Sequence, residues 1–142
     1  MKGNFRHYYI KNWLMNSNEY KLFNLLEKID FPFDARVIPQ VHLDEISKPS
    51  AFRWVRNRLF RFINRKSVDF VIFDRKGMHP KLAIELDGYS HNNNHTKIID
   101  SKKQDLLDEI NLPLLRIKNS EYYDQAVLKD QIISKLNTEK EF

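Results

Sequence analysis

Hydrophobic positions along this chain recur with two different periods. From Ser17 onward, Leu22, Phe23, Leu25, Leu26 and Ile29 fall on one stripe of a helical repeat. This predicts an amphipathic helix with Ser17 or Asn18 as N-cap and Glu19 in its first turn. Asp30, Pro32 and Asp34 end it. From Arg36 to Leu43 the pattern becomes alternation, Val37, Pro39, Val41 and Leu43 against Ile38, Gln40 and His42, which predicts a strand. Pro39 has no N–H to give a neighbour, so that strand is expected at a sheet edge. Val68 to Phe73 and Lys81 to Leu86 are short apolar runs on either side of a turn, Asp74 to Pro80, that contains Gly77. They predict a hairpin. A second helix is expected from about Thr96 to Ile110, through Ile98, Ile99, Leu106, Leu107 and Ile110, ending at Asn111 and Pro113. Leu114 to Ile117 reads as a short buried strand, and a last helix as running from Glu121 to Leu136 through Ala126, Val127, Ile132, Ile133 and Leu136. The expected order is α-β-β-β-α-β-α, an α/β fold with a central mixed sheet flanked by helices. A helix between the third and fourth strands permits the crossover that a parallel pair requires.

Composition limits what this frame carries. A chain of 142 residues, 42% hydrophobic and 13% aromatic, builds one core. The expected organisation is a basic and aromatic arm over residues 1–16, with Arg6, His7, Tyr8, Tyr9, Lys11 and Trp13, followed by a single domain over 17–142. The lack of cysteine excludes disulfides, thiolate zinc sites and cysteine nucleophiles, and it suits a reducing compartment. No apolar run approaches the roughly 20 residues of a membrane helix, and the first residues lack a signal-peptide pattern. A cytoplasmic protein with no membrane partner is therefore expected. Lys and Arg exceed Asp and Glu by 24 to 19, a net charge of +5 that suits a polyanion, nucleic acid first, although many soluble proteins share it.

Basic residues concentrate between Ala51 and Lys66, where Arg53, Arg56, Arg58, Arg61, Arg65 and Lys66 alternate with Phe52, Trp54, Phe60 and Phe62. Such a window can track phosphates and stack on unpaired bases. It also fits a helix with a solvated basic face and a buried aromatic one.

The acids within apolar strands need a physical account, because an uncompensated buried carboxylate costs several kcal/mol. Asp69 lies near the start of one hairpin strand and Glu85 near the end of its neighbour, so antiparallel pairing brings them together. Positions two apart share a strand face, so Glu85 and Asp87 project to the same side. Three converging carboxylates suit a hard divalent ion, Mg²⁺ or Mn²⁺, and through it a phosphodiester. His91, in the loop beyond Asp87, is a candidate for taking or positioning a proton. The same acids could equally hold neighbouring Arg or Lys side chains, and spacing alone leaves both readings open.

Val68-Asp69-Phe70-Val71, then Leu82 to Gly88 with Glu85 and Asp87, then His91, Asp100 and Lys103, then Leu112-Pro113-Leu114-Leu115-Arg116-Ile117, together resemble the PD-(D/E)xK nuclease superfamily. The branch most similar is that of the very-short-patch mismatch-repair endonuclease and its uncharacterised bacterial relatives. The resemblance runs from about Glu19 to Leu136. It implies a restriction-endonuclease-like core, Asp69 and Glu85 as metal ligands, and Glu19 as an acid on the first helix completing the shell through water. The superfamily pattern places a Lys two residues after the second acid, where this chain has Asp87. In the very-short-patch branch a His does comparable work, and His91 matches its place. Lys103 is the alternative source of the cation. Asp100 and Arg116 fit the related pattern, or form an ion pair that serves only structure.

The expected function is thus a metal-dependent DNA endonuclease or nickase, hydrolysing phosphodiester bonds by Mg²⁺-assisted water attack, as a homodimer or within a larger nucleic-acid-processing assembly. The alternative from another class is a catalytically inactive nuclease-fold module that binds DNA or a partner protein, motivated by Asp87 in place of Lys. An RNA-directed nuclease is the third, since nothing in the sequence reads or rejects a 2′-hydroxyl.

Overall fold

The structure is a computed structural model and describes residues 10–48, 61, 63, 65–88 and 94–138. Its elements follow in the order α1 (Ser17–Leu26), β1 (Ala35–His42), α2 (Leu43–Ile46), β2 (Ser67–Asp74), β3 (His79–Asp87), α3 (Asn94–Glu109), β4 (Leu114–Lys118) and α4 (Gln125–Leu136). The expected α/β order holds, with the one-turn α2 added between the first two strands.

The first helix starts at Ser17 as expected, but its cap differs, and the last helix starts later than expected. The N-cap of α1 is Asn16, not Ser17 or Asn18, because Glu19 at the third helical position completes a capping box. Asn16 Oδ1 accepts from the Glu19 N–H at 2.9 Å, and Glu19 Oε2 accepts from the Asn16 N–H at 2.8 Å. Asn16, the last residue of the expected arm, therefore caps the helix. The last helix begins at Gln125 instead of Glu121, since Asp124 Oδ1 accepts from the N–H groups of Ala126 and Val127. The preceding residues are held in a turn by Ser120 and the Tyr123 hydroxyl. The buried stripe of α4 is Leu128, Ile132 and Leu136, and Val127 is exposed.

The sheet has the order β1-β2-β3-β4. β1 with β2 and β2 with β3 run antiparallel, and β3 with β4 parallel, so the sheet is mixed. β1 is an edge strand, as Pro39 requires. The tight β2–β3 turn uses left-handed backbone at Gly77 (φ +85°) and Met78 (φ +54°), with Asp74 Oδ1 accepting from the Lys76 N–H.

Each face of the sheet has its own core. On one, Phe70, Ile72, Leu82, Ile84, Leu115 and Ile117 pack against Leu22 and Leu26 of α1 and Leu128 and Ile132 of α4. On the other, Val68, Val71, Phe73, Ala83 and Leu114 pack with Leu107 of α3, Leu112 and Ile63. Burial of each of the larger side chains contributes about 1.5–3 kcal/mol. In α3 the stripe is narrower than expected: Leu107 is buried, Leu106 and Ile110 are partly so, and Ile98 is exposed. Lys103 takes the place toward the sheet that an apolar residue would fill. Among the described residues no helix is long and apolar enough to cross a membrane.

Candidate functional site

Pairing between β2 and β3 ends at Phe70 and Ile84, one step before Asp69 would meet Glu85. A side chain replaces the next ladder bond: the Leu86 N–H donates to Asp69 Oδ2 at 2.7 Å. The hairpin therefore brings Asp69 and Glu85 to the same end of the two strands, as their spacing predicts. It also leaves the Asp69 carboxylate inserted where backbone would otherwise pair.

Glu85 shares a sheet face with Ala83, the face that α3 covers. There Lys103 meets it. The Lys103 ammonium lies 2.6 Å from Glu85 Oε1 and donates to the Ser67 backbone oxygen at 2.9 Å. Lys103 is only 8% exposed. An ammonium has three N–H groups, and among the described residues these two contacts use two of them.

From the opposite helix layer α1 brings Glu19, half-buried, to the same end of the sheet. Its Oε1 accepts from Gln40 Nε2 of β1 at 3.3 Å. Burial above all, with smaller contributions from the negative charges of Glu85 and Glu19, pushes the Asp69 carboxyl up from 3.8 to about 6, against the lowering effects of the Leu86 N–H and of Lys103. Asp69, Glu85, Glu19 and Lys103 thus form one electrostatic cluster in which acids outnumber the cation. Among the described residues no three His, Asp or Glu side chains are already arranged as a metal cage.

Asp87 projects on the Glu85 face but one step further along β3, and there it meets Arg116 of β4 at 3.5 Å. Arg116 also lies 4.0 Å from Asp100 of α3, which realises the ion-pair reading of Arg116 and Asp100. These three residues line a cleft of about 670 Å³ with Lys97, Lys118 and Asn119. Asp87 is not among the charges that act on Asp69.

His91 lies outside the described residues, as do Arg53, Arg56 and Arg58 of the basic window. Arg61 and Arg65 are exposed and Lys66 is half-buried. Gln40 is the residue that sequence reasoning missed. Its backbone is left-handed, φ +53°, within a strand, and a Gln in an alternating stretch carries no signal for that.

Comparison with curated proteins and with solved structures gives no match. Residues 11–136 match the family model described as protein of unknown function (DUF2726), and the chain belongs to that family.

Proposed function

We propose that this chain is a divalent-metal-dependent nuclease that hydrolyses DNA phosphodiesters, built on a restriction-endonuclease-like core. The observation that carries the reading is the Asp69 carboxylate at the open end of the β2–β3 ladder, beside a Glu85 that is held by the buried Lys103. In this cluster three acids face one cation, and the Asp69 carboxyl, lifted first by burial and then by Glu85 and Glu19, is one that a bound cation would stabilise in its ionised form.

The donor set fits Mg²⁺ or Mn²⁺, since Asp69, Glu85 and Glu19 offer hard oxygens and no soft ligand competes. When bound, the ion supplies Lewis-acid polarisation of the phosphodiester and eases loss of a proton from water. Asp69 and Glu85 hold it, and Glu19 completes the set. Lys103 does two things in this scheme. It fixes the Glu85 carboxylate, and its remaining N–H faces a substrate oxygen or the attacking water. Lys103 thereby takes, from the helix, the place of the Lys that the superfamily pattern puts two residues after the second acid. The attacking water's oxygen bonds to phosphorus as the bond to the leaving ester oxygen breaks. His91 takes the water's proton, and solvent protonates the leaving oxygen.

Asp87, paired with Arg116, is left as a wall of the neighbouring cleft rather than a ligand of the same ion. The basic window, with Arg61 and Arg65 exposed, supplies phosphate contacts.

The test is a cleavage screen over single-stranded, duplex, mismatched and branched DNA, and matched RNA, with Mg²⁺, Mn²⁺ or chelator. Metal-dependent cutting that Asp69→Ala abolishes, with DNA binding retained, supports the proposal. Salt-sensitive binding with no cutting of any substrate sinks it in favour of an inactive DNA-binding module. Cutting confined to RNA replaces the substrate.

A further inference from the structure

Gln40 stands inside β1 with φ +53°, a conformation that side chains other than Asn, Asp and His seldom adopt. The β1–β2 register runs without a shift from Ala35 to His42, yet one rung is missing. Pro39 pairs with Phe70 and Val41 with Val68, while Gln40 and Asp69, opposite each other, do not pair. The chain also reverses its faces here. Val37 packs in the α1–α4 core and Val41 in the α3 core, although residues four apart on a regular strand share a face.

That reversal accompanies a specific contact. Gln40 Nε2 donates to Glu19 Oε1 at 3.3 Å, while Glu19 Oε2 is held by the Asn16 N–H at 2.8 Å. A capping box needs only the second of these bonds. With both oxygens held, from α1 on one side and β1 on the other, the carboxylate is fixed, and each oxygen keeps a lone pair for a ligand. Backbone strain of this kind persists where the surrounding structure over-determines it, and it concentrates at functional sites.

We infer that Gln40 is a positioning residue: its left-handed backbone and its amide hold the Glu19 carboxylate beside Asp69 as an oxygen donor for a divalent cation. The inference rests on the metal-dependent function proposed above. It assigns Gln40 no contact with substrate.

The experiment measures Mn²⁺ binding, from the free-ion electron paramagnetic resonance signal, together with thermal unfolding. The proteins are the unaltered chain, Gln40→Met, Gln40→Gly, Glu19→Gln and the double variants. Gln40→Met keeps length without a donor, and it should bind Mn²⁺ roughly tenfold to hundredfold more weakly, as loss of an outer-shell partner does. Gln40→Gly should weaken binding as much while melting at an unchanged or higher temperature, because glycine adopts positive φ freely. A residue that served only the fold would not separate the two readouts in this way. Neither substitution should weaken binding further once Glu19→Gln is present. Mn²⁺ binding by Gln40→Met as tight as that of the unaltered chain overturns the role of Gln40 alone, as does full additivity with Glu19→Gln. Absence of Mn²⁺ binding by the unaltered chain overturns the role and the proposed function together.

Discussion

The Lys103 ammonium sits 2.6 Å from Glu85 Oε1, between α3 and the face of β3 that α3 covers. With both side chains nearly buried, removal of either partner leaves a charge that water cannot reach. The link from packing to chemistry is direct, since the same cation supports the fold and orients the acid.

Lys103→Met should therefore destabilise the chain by about 3–5 kcal/mol in urea unfolding near neutral pH, the cost of an unpaired buried carboxylate. Adding Glu85→Gln should recover part of that loss, because the orphaned charge is gone. On the proposed mechanism, both variants should lose cleavage. Equal stability of the single and double variants would show that the pair is not coupled.

Asp69 gives a pH dependence whose sign follows from its raised carboxyl, about 6 against 3.8. The folded chain keeps the proton where the unfolded chain has lost it. Stability from that proton is fully present below about pH 4 and is lost as pH rises through about 6. Between those limits Asp69→Asn should lose less stability than the unaltered chain, and saturating Mn²⁺ should also reduce the loss. Equilibrium unfolding at about pH 4.5 and about pH 7.5 measures it. The proposed mechanism needs the ionised carboxylate, so on that reading cleavage should rise over the same interval.

Asn16→Ala removes the cap of α1 and should cost about 1 kcal/mol. Asn16→Asp, which keeps an acceptor for the Glu19 N–H, should recover most of it. Unfolding curves of the two variants provide the comparison.

Asp87→Asn separates the acids along β3. Its pair with Arg116 is 3.5 Å long and about a third exposed on each side, so its loss should cost at most about 1 kcal/mol. Cleavage should fall much less than with Glu85→Gln. The reverse order would replace Glu85 by Asp87 in the proposed metal site.

Arg61 and Arg65 are exposed beside β2, and each phosphate they neutralise releases counterions. The double change Arg61→Ala with Arg65→Ala should reduce the slope of log binding constant against log salt by up to about 1.8 on duplex DNA. Titrations at several salt concentrations test it, and an unchanged slope would remove these two from the proposed interface.

Strand placement was legible because each strand announces its own burial. Val68 to Phe73 and Lys81 to Leu86 are apolar runs around a glycine turn, and the observed β2 and β3 exceed them by one or two residues at each end. Pro39 marked the edge for a reason internal to one residue. Helix ends were less legible, since several residues can cap and only the local hydrogen bonds select one. Asn16 prevailed over Ser17 through its reciprocal bonds with Glu19, and Asp124 set the start of α4.

By itself, the sequence determined the order of the elements other than α2, the mixed sheet and the placing of Asp69 and Glu85 at one end of the hairpin, because periodicity and hairpin pairing act over short stretches of chain. Only the tertiary structure decided which groups complete that pair. Lys103 is 18 residues from Glu85, and Gln40 is 21 from Glu19. Such contacts depend on how helix layers dock on the two sheet faces, and no local pattern encodes them. Asp87 shows the same limit from the other side: strand parity put it with Glu85, and Arg116, arriving on the parallel neighbour β4, drew its carboxylate into a different ion pair.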